Sequence, residues 1–65
     1  MEKLWLHENE YHILIGNECY VYDKKGKYLD RYRVGKSEVA WMDSKWTKAE
    51  YNSLPDVIKN DLVLA

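Results

Sequence analysis

Between Asp23 and Lys36 the chain concentrates Lys24, Lys25, Lys27, Arg31, Arg33 and Lys36 against only Asp23 and Asp30. The flanking segments are acidic. Glu2, Glu8, Glu10 and Glu18 outweigh Lys3 before it, and Glu38, Asp43, Glu50, Asp56 and Asp61 outweigh Lys45, Lys48 and Lys59 after it. Arginine presents a planar fork of N–H donors that fits a carboxylate or phosphate, and lysine a compact point charge. Leu29 adds apolar area for a partner to bury. Lys24, Lys25, Lys27, Leu29, Arg31 and Arg33 are therefore the candidate partner-binding residues, suited to an acidic patch on a protein. The competing reading is a solvated outer sheet face, on which long side-chain stems cover aliphatics. The net charge of −1 is uninformative by itself, but one basic segment within an acidic frame makes a polar molecule and not a generic polyanion binder.

The aromatic residues are three Trp and six Tyr, with no Phe, so every ring carries a donor that needs a partner or water. Such rings suit a domain so small that no point is far from solvent, and they also suit a binding surface. Tyr28 and Tyr32 alternate with Arg31 and Arg33, which raises single-stranded nucleic-acid binding as the alternative function. No RNP-type motif accompanies them, and the acidic remainder would repel phosphates. Small strand-plus-helix domains of the chromo type build cages for methylated cations from such rings. That likeness is architectural, and no cage residue is carried over.

Other chemistry lacks its residues. His7 and His12 could face each other beside Glu10, but no further ligand has metal-binding spacing. Cys19 is the only cysteine, so no intrachain disulfide and no cysteine-based zinc site can form. It lies within an apolar strand pattern, where inert thiols sit. There is no Gly-rich phosphate loop and no hydrolase elbow. The expectation is a non-enzyme with no cofactor and no metal.

The elements that position these residues read as strands first. Lys3–His7, Tyr11–Ile15, Cys19–Asp23 and Lys27–Val34 are apolar or β-rich runs separated by turn signals. The connections are too short for parallel crossovers, so an antiparallel meander is expected. Asp23-Lys24-Lys25-Gly26-Lys27 suits a type I turn with a left-handed Gly. That turn predicts Tyr22 opposite Tyr28 and Val21 opposite Leu29. Tyr20, Tyr22, Tyr28 and Tyr32 would share one face, and Cys19, Val21, Leu29, Arg31 and Arg33 the other. Gly16-Asn17 suits a two-residue turn, which places Tyr11, Ile13 and Ile15 on the tyrosine face and makes that face the core. A three-residue loop would reverse the faces.

The C-terminal part reads as helical. Thr47-Lys48-Ala49-Glu50 fits a capping box, with Trp46 and Tyr51 at staple positions. Pro55 interrupts that helix, and Ser53 is placed to cap a second one. Leu54, Ile58 and Leu62 recur at helical spacing and make a stripe to cover the sheet. Trp41 and Met42 are read as a fifth short strand or a packed loop.

Sixty-five residues make one small domain with a thin stability margin, and dimerisation is one way to bury more apolar surface. No signal-peptide pattern or membrane-length apolar run is present, so a soluble, cytoplasmic protein without membrane association is expected. The expected fold is α+β: a four- to five-stranded antiparallel meander with one or two short C-terminal helices on one face, or alternatively a small SH3-like barrel. The expected function is a stand-alone protein–protein interaction module that modulates or inhibits a larger macromolecule by occupying its surface. In size and lack of motifs it is similar to short phage- or plasmid-encoded inhibitors of host machinery, a similarity of kind.

Overall fold

The computed structural model describes residues 3–64, with side chains through Leu62. Five strands, β1 (Lys3–His7), β2 (Glu10–Ile15), β3 (Glu18–Asp23), β4 (Tyr28–Arg33) and β5 (Thr47–Lys48), form one antiparallel sheet in the order β4-β3-β2-β1-β5. Helix α1 (Lys36–Lys45) links β4 to β5, and a 3-10 turn at Tyr51–Ser53 leads into α2 (Asp56–Leu64). The small α+β architecture is the one the sequence pattern predicts.

Turn chemistry sets the register of the first three strands. Glu8 and Asn9 both adopt positive φ, 51° and 64°, closing a two-residue turn between His7 and Glu10. Gly16 has φ 64° and Ile15 pairs with Glu18, so the Gly16-Asn17 turn has two residues. Tyr11 then pairs with Tyr22 and Ile13 with Tyr20, and the isoleucines share the tyrosine face as expected. Strand β2 is central and covered on both sides, which explains why Tyr11 to Leu14 are all buried instead of alternating.

Strand β4 departs from the expected register. Tyr22 pairs with Tyr28, but Val21 pairs with Asp30, Tyr20 with Arg31, Cys19 with Tyr32 and Glu18 with Arg33. Leu29 is the extra residue of a β-bulge. A one-residue shift exchanges faces. Arg31 and Arg33 therefore lie on the face of Tyr20 and Tyr22, and Tyr32 lies on the face of Cys19 and Val21. The expected grouping of Tyr32 with the other tyrosines, and of the arginines with Val21, is corrected by this bulge.

Each sheet face has its own helix. On the tyrosine face, Leu54 and Ile58 pack with Leu4, Tyr11, Ile13 and Tyr22, with Leu62 alongside, as the stripe predicts. On the other face, Met42 and Val39 of α1 pack with Trp5, Leu14, Cys19 and Val34. Asp43 ties α1 to β1: its carboxylate accepts from Lys3 Nζ at 2.6 Å and from Trp5 Nε1 at 3.0 Å. Ile13, Ile58 and Trp5 are fully buried. Burying an aliphatic or aromatic side chain of this size stabilises by roughly 1.5–3 kcal/mol, so these three residues are the main anchors of a small core.

Local signals after residue 35 are redistributed. Trp41 and Met42 lie in helix α1 and not in a strand or loop; Glu38 starts that helix by accepting from the Gly35 N–H at 2.9 Å. The Thr47 capping box does not form, because Thr47 and Lys48 pair with Leu6 and Trp5 and the Ala49 N–H donates to the Leu4 carbonyl at 3.0 Å. Ser53 ends the 3-10 turn and does not cap α2. The Pro55 carbonyl accepts from Ile58 and Lys59 instead.

Candidate functional site

The β3–β4 hairpin is held firmly at its tip. Asp23 Oδ1 accepts from the backbone N–H groups of Lys25 and Lys27, both at 2.9 Å. Its backbone N–H donates to the Lys27 carbonyl at 2.9 Å, and its carbonyl accepts from Gly26 at 3.1 Å. These contacts, the one from Lys27 foremost, hold the Asp23 carboxyl below its ordinary range. Gly26 has φ 98° and is buried, with Val57 and Pro55 directly against the position a Cβ would take. The start of α2 thus backs the turn.

The basic side chains radiate from this rigid support. Lys24, Lys25, Lys27, Arg31 and Arg33 are all exposed, and Leu29 is 43% exposed at the bulge. Tyr28 is 48% exposed and meets the buried Tyr22 edge-on at 5.7 Å. Arg31 hydrogen-bonds Tyr20 and lies 3.7 Å from the Glu18 carboxylate, and both contacts favour its charged form. The arginines do not surround Val21, which is buried. They stand instead on the α2 side of β4, which ends the sheet and, among the described residues, has one backbone edge without a strand neighbour. Five of its six residues are exposed, and the Arg31 backbone N–H donates to the Asp30 carboxylate at 2.7 Å.

A second cluster lies on the opposite face. His12 Nδ1 is 3.0 Å from the Tyr32 hydroxyl, which also hydrogen-bonds the Cys19 thiol. Trp46 stacks on His7 at 4.3 Å and tilts over His12 at 4.6 Å. His7 and His12 are diagonal neighbours with ring centres 6.1 Å apart and do not stand directly opposite each other, since His7 pairs with Glu10 and His12 with Trp5. His12 is 7% exposed, and its Nε2 has no hydrogen bond; the Glu10 carboxylate lies 3.8 Å away. Burial pushes the Cys19 thiol up, and burial followed by the neighbouring thiol pushes Tyr32 well up, so both keep their protons at neutral pH. Among the described residues no cluster of three or more His, Cys, Asp or Glu side chains could hold a metal ion. Sequence reasoning missed the His12–Tyr32–Cys19 chain because it depends on the bulge.

Beyond Tyr32 the α1 side opens into a shallow cleft of about 270 Å³, lined by Tyr32, Val34, Ser37, Glu38, Trp41 and Met42. Trp41 is 56% exposed and meets Trp46 edge-on at 6.2 Å. Comparison with protein-family models, with curated proteins and with solved structures finds no match. Among the described residues no helix is long and apolar enough to cross a membrane.

Proposed function

We propose that this chain is a non-catalytic protein-interaction module that modulates a larger macromolecule by occupying its surface with the β3–β4 hairpin. The observation that carries this reading is the union of rigidity and exposure: the Asp23 and Gly26 contacts fix the tip, while Tyr28 and Leu29 stay nearly half exposed among Lys27, Arg31 and Arg33. A preorganised surface loses little conformational freedom on binding. Its charge favours a partner with an acidic patch and speeds encounter with it. Lys24 and Lys25 at the tip extend the same field. Inhibition by steric cover is the mode of action such a domain supports, and the cytosol, where a lone buried thiol stays reduced, is its proposed setting.

Single-stranded nucleic acid is the second reading, favoured by Tyr28 standing on the same face as Arg31 and Arg33. Tyr11 and Tyr22 are buried beneath α2 and unavailable for stacking, which weakens it. Affinity capture from source-cell lysate, with and without nuclease, separates the two. The module reading expects one stoichiometric protein that resists nuclease and is lost in a folded Arg31→Glu/Arg33→Glu variant. Capture unchanged by that variant would reject it, and capture abolished by nuclease would favour nucleic acid.

A further inference from the structure

The open edge of β4 and the cleft beside it make one continuous surface. An edge strand presents N–H and C=O groups that can accept a further strand, while pockets for alternate side chains supply specificity; on β4 the Arg31 N–H is held by Asp30 Oδ1 at 2.7 Å and must exchange that bond for one to the incoming strand. The side chains of β4 restrict what that strand can be. Tyr28, Arg31 and Arg33 face the α2 side, and Asp30 and Tyr32 face the α1 side, because residues directly opposite each other in the ladder share a face.

A second copy of β4 fits poorly. Two-fold antiparallel pairing must centre on one residue to keep the faces matched. Centring on Asp30 sets Asp30 against its own copy, and centring on Arg31 does the same for Arg31. Centring on Tyr32 sets Arg31 against the copy's Arg33. Like charges directly opposite are destabilising in every one of these registers, and the Leu29 bulge breaks the ladder at the near end.

A partner strand of opposite pattern meets none of these obstacles. On the α2 side its carboxylates would lie beside Arg31 and Arg33. On the α1 side Asp30 and the Glu38 carboxylate disfavour acid, whereas Tyr32, Val34, Trp41 and Met42 offer an apolar cleft. Resting on the interaction-module reading above, we infer that β4 is the docking edge for an extended partner segment in which acidic residues alternate with apolar ones. The acidic residues pair with Arg31 and Arg33, and an apolar one enters the cleft beside Trp41.

The probe is a fluorescein-labelled decapeptide alternating glutamate with leucine, compared with a peptide of the same composition arranged as a glutamate block and a leucine block. The alternating peptide is expected to bind and to slow amide hydrogen exchange within Tyr28–Arg33. Arg31→Glu/Arg33→Glu, with its fold checked by circular dichroism, is expected to weaken binding by at least about tenfold. The exposed substitution Trp41→Ala is expected to weaken it about fivefold, as loss of an aromatic anchor does. No binding, equal binding of the block peptide, or binding without slowed exchange at β4 would overturn the inference. So would a dimer in sedimentation that the peptide dissociates, or displacement of the peptide by an oligonucleotide. Failure of the peptide while capture of a protein partner still depends on Arg31 and Arg33 would remove strand addition and leave the hairpin reading standing.

Discussion

Tyr22 pairs with Tyr28, yet its neighbour Val21 pairs with Asp30, so Leu29 has no counterpart in β3. This one unpaired residue sends Tyr32 toward His12 and Cys19 and sends Arg31 toward Tyr20 and Glu18. The basic edge and the buried polar chain therefore have a common cause.

Deleting Leu29 closes the bulge without changing any other pair. The deletion variant is expected to fold and to keep Tyr32 on the α1 side, read as a nuclear Overhauser contact between the Tyr32 ring and the Cys19 side chain. Transfer of that ring contact to Tyr20 would show that Leu29 is not the unpaired residue.

Tyr32→Phe removes the hydroxyl that hydrogen-bonds His12 Nδ1 at 3.0 Å. The Glu10 carboxylate facing Nε2 favours the proton on that nitrogen, so Nδ1 is the acceptor left stranded. A buried acceptor without a donor costs roughly 1–3 kcal/mol. The expected result is a urea midpoint lowered accordingly at neutral pH; an unchanged midpoint would mean that water reaches Nδ1.

His12 is held below its ordinary value of 6.5, first by burial and also by His7, with Glu10 and Glu8 opposing. The unfolded chain takes up a proton near that value while the folded chain resists. The folded state is therefore unpenalised above it and loses stability as pH falls below it, until the folded pKa is reached. Urea unfolding measured from about pH 7.5 to about pH 5 is expected to show this decline, and His12→Asn to flatten it. Parallel pH profiles for the two proteins would remove His12 as the source.

Gly26 and Gly16 both hold positive φ, but only Gly26 has a neighbour in the way: a Cβ there would stand 3.1 Å from the Val57 Cβ. Left-handed backbone alone costs a non-Gly residue roughly 1–2 kcal/mol, so Gly16→Ala is expected to lose about that. Gly26→Ala is expected to lose more, since Val57 and the start of α2 must also shift. Equal thermal shifts for the two variants would contradict the packing of the tip on α2.

The parts of the fold legible in the sequence are those fixed by local chemistry. Gly16-Asn17 and Asp23 to Gly26 specify their turns, and the Leu54, Ile58, Leu62 stripe specifies the face that α2 covers. Three features were not legible. The Leu29 bulge lies beyond the turn, where the faces are settled by Tyr32 finding His12 and Cys19 across two strands. Helix α1 has Val39, Ala40, Trp41 and Met42 consecutive, so no helical spacing announces it. The Thr47 box is a sound local signal that the free edge of β1 overrides by pairing with it. The basic residues of the candidate surface were visible from composition; the face they occupy was not.

The most direct test of the hairpin as the binding surface is a backbone amide spectrum of the isotope-labelled protein titrated with its captured partner. The expected result is that the largest shifts and broadening fall on Lys24 to Arg33, with α2 and the Glu8-Asn9 turn little changed. Perturbations centred on His7, Glu10 and Trp46, or spread over the exposed side of α2 with β4 unaffected, would contradict it.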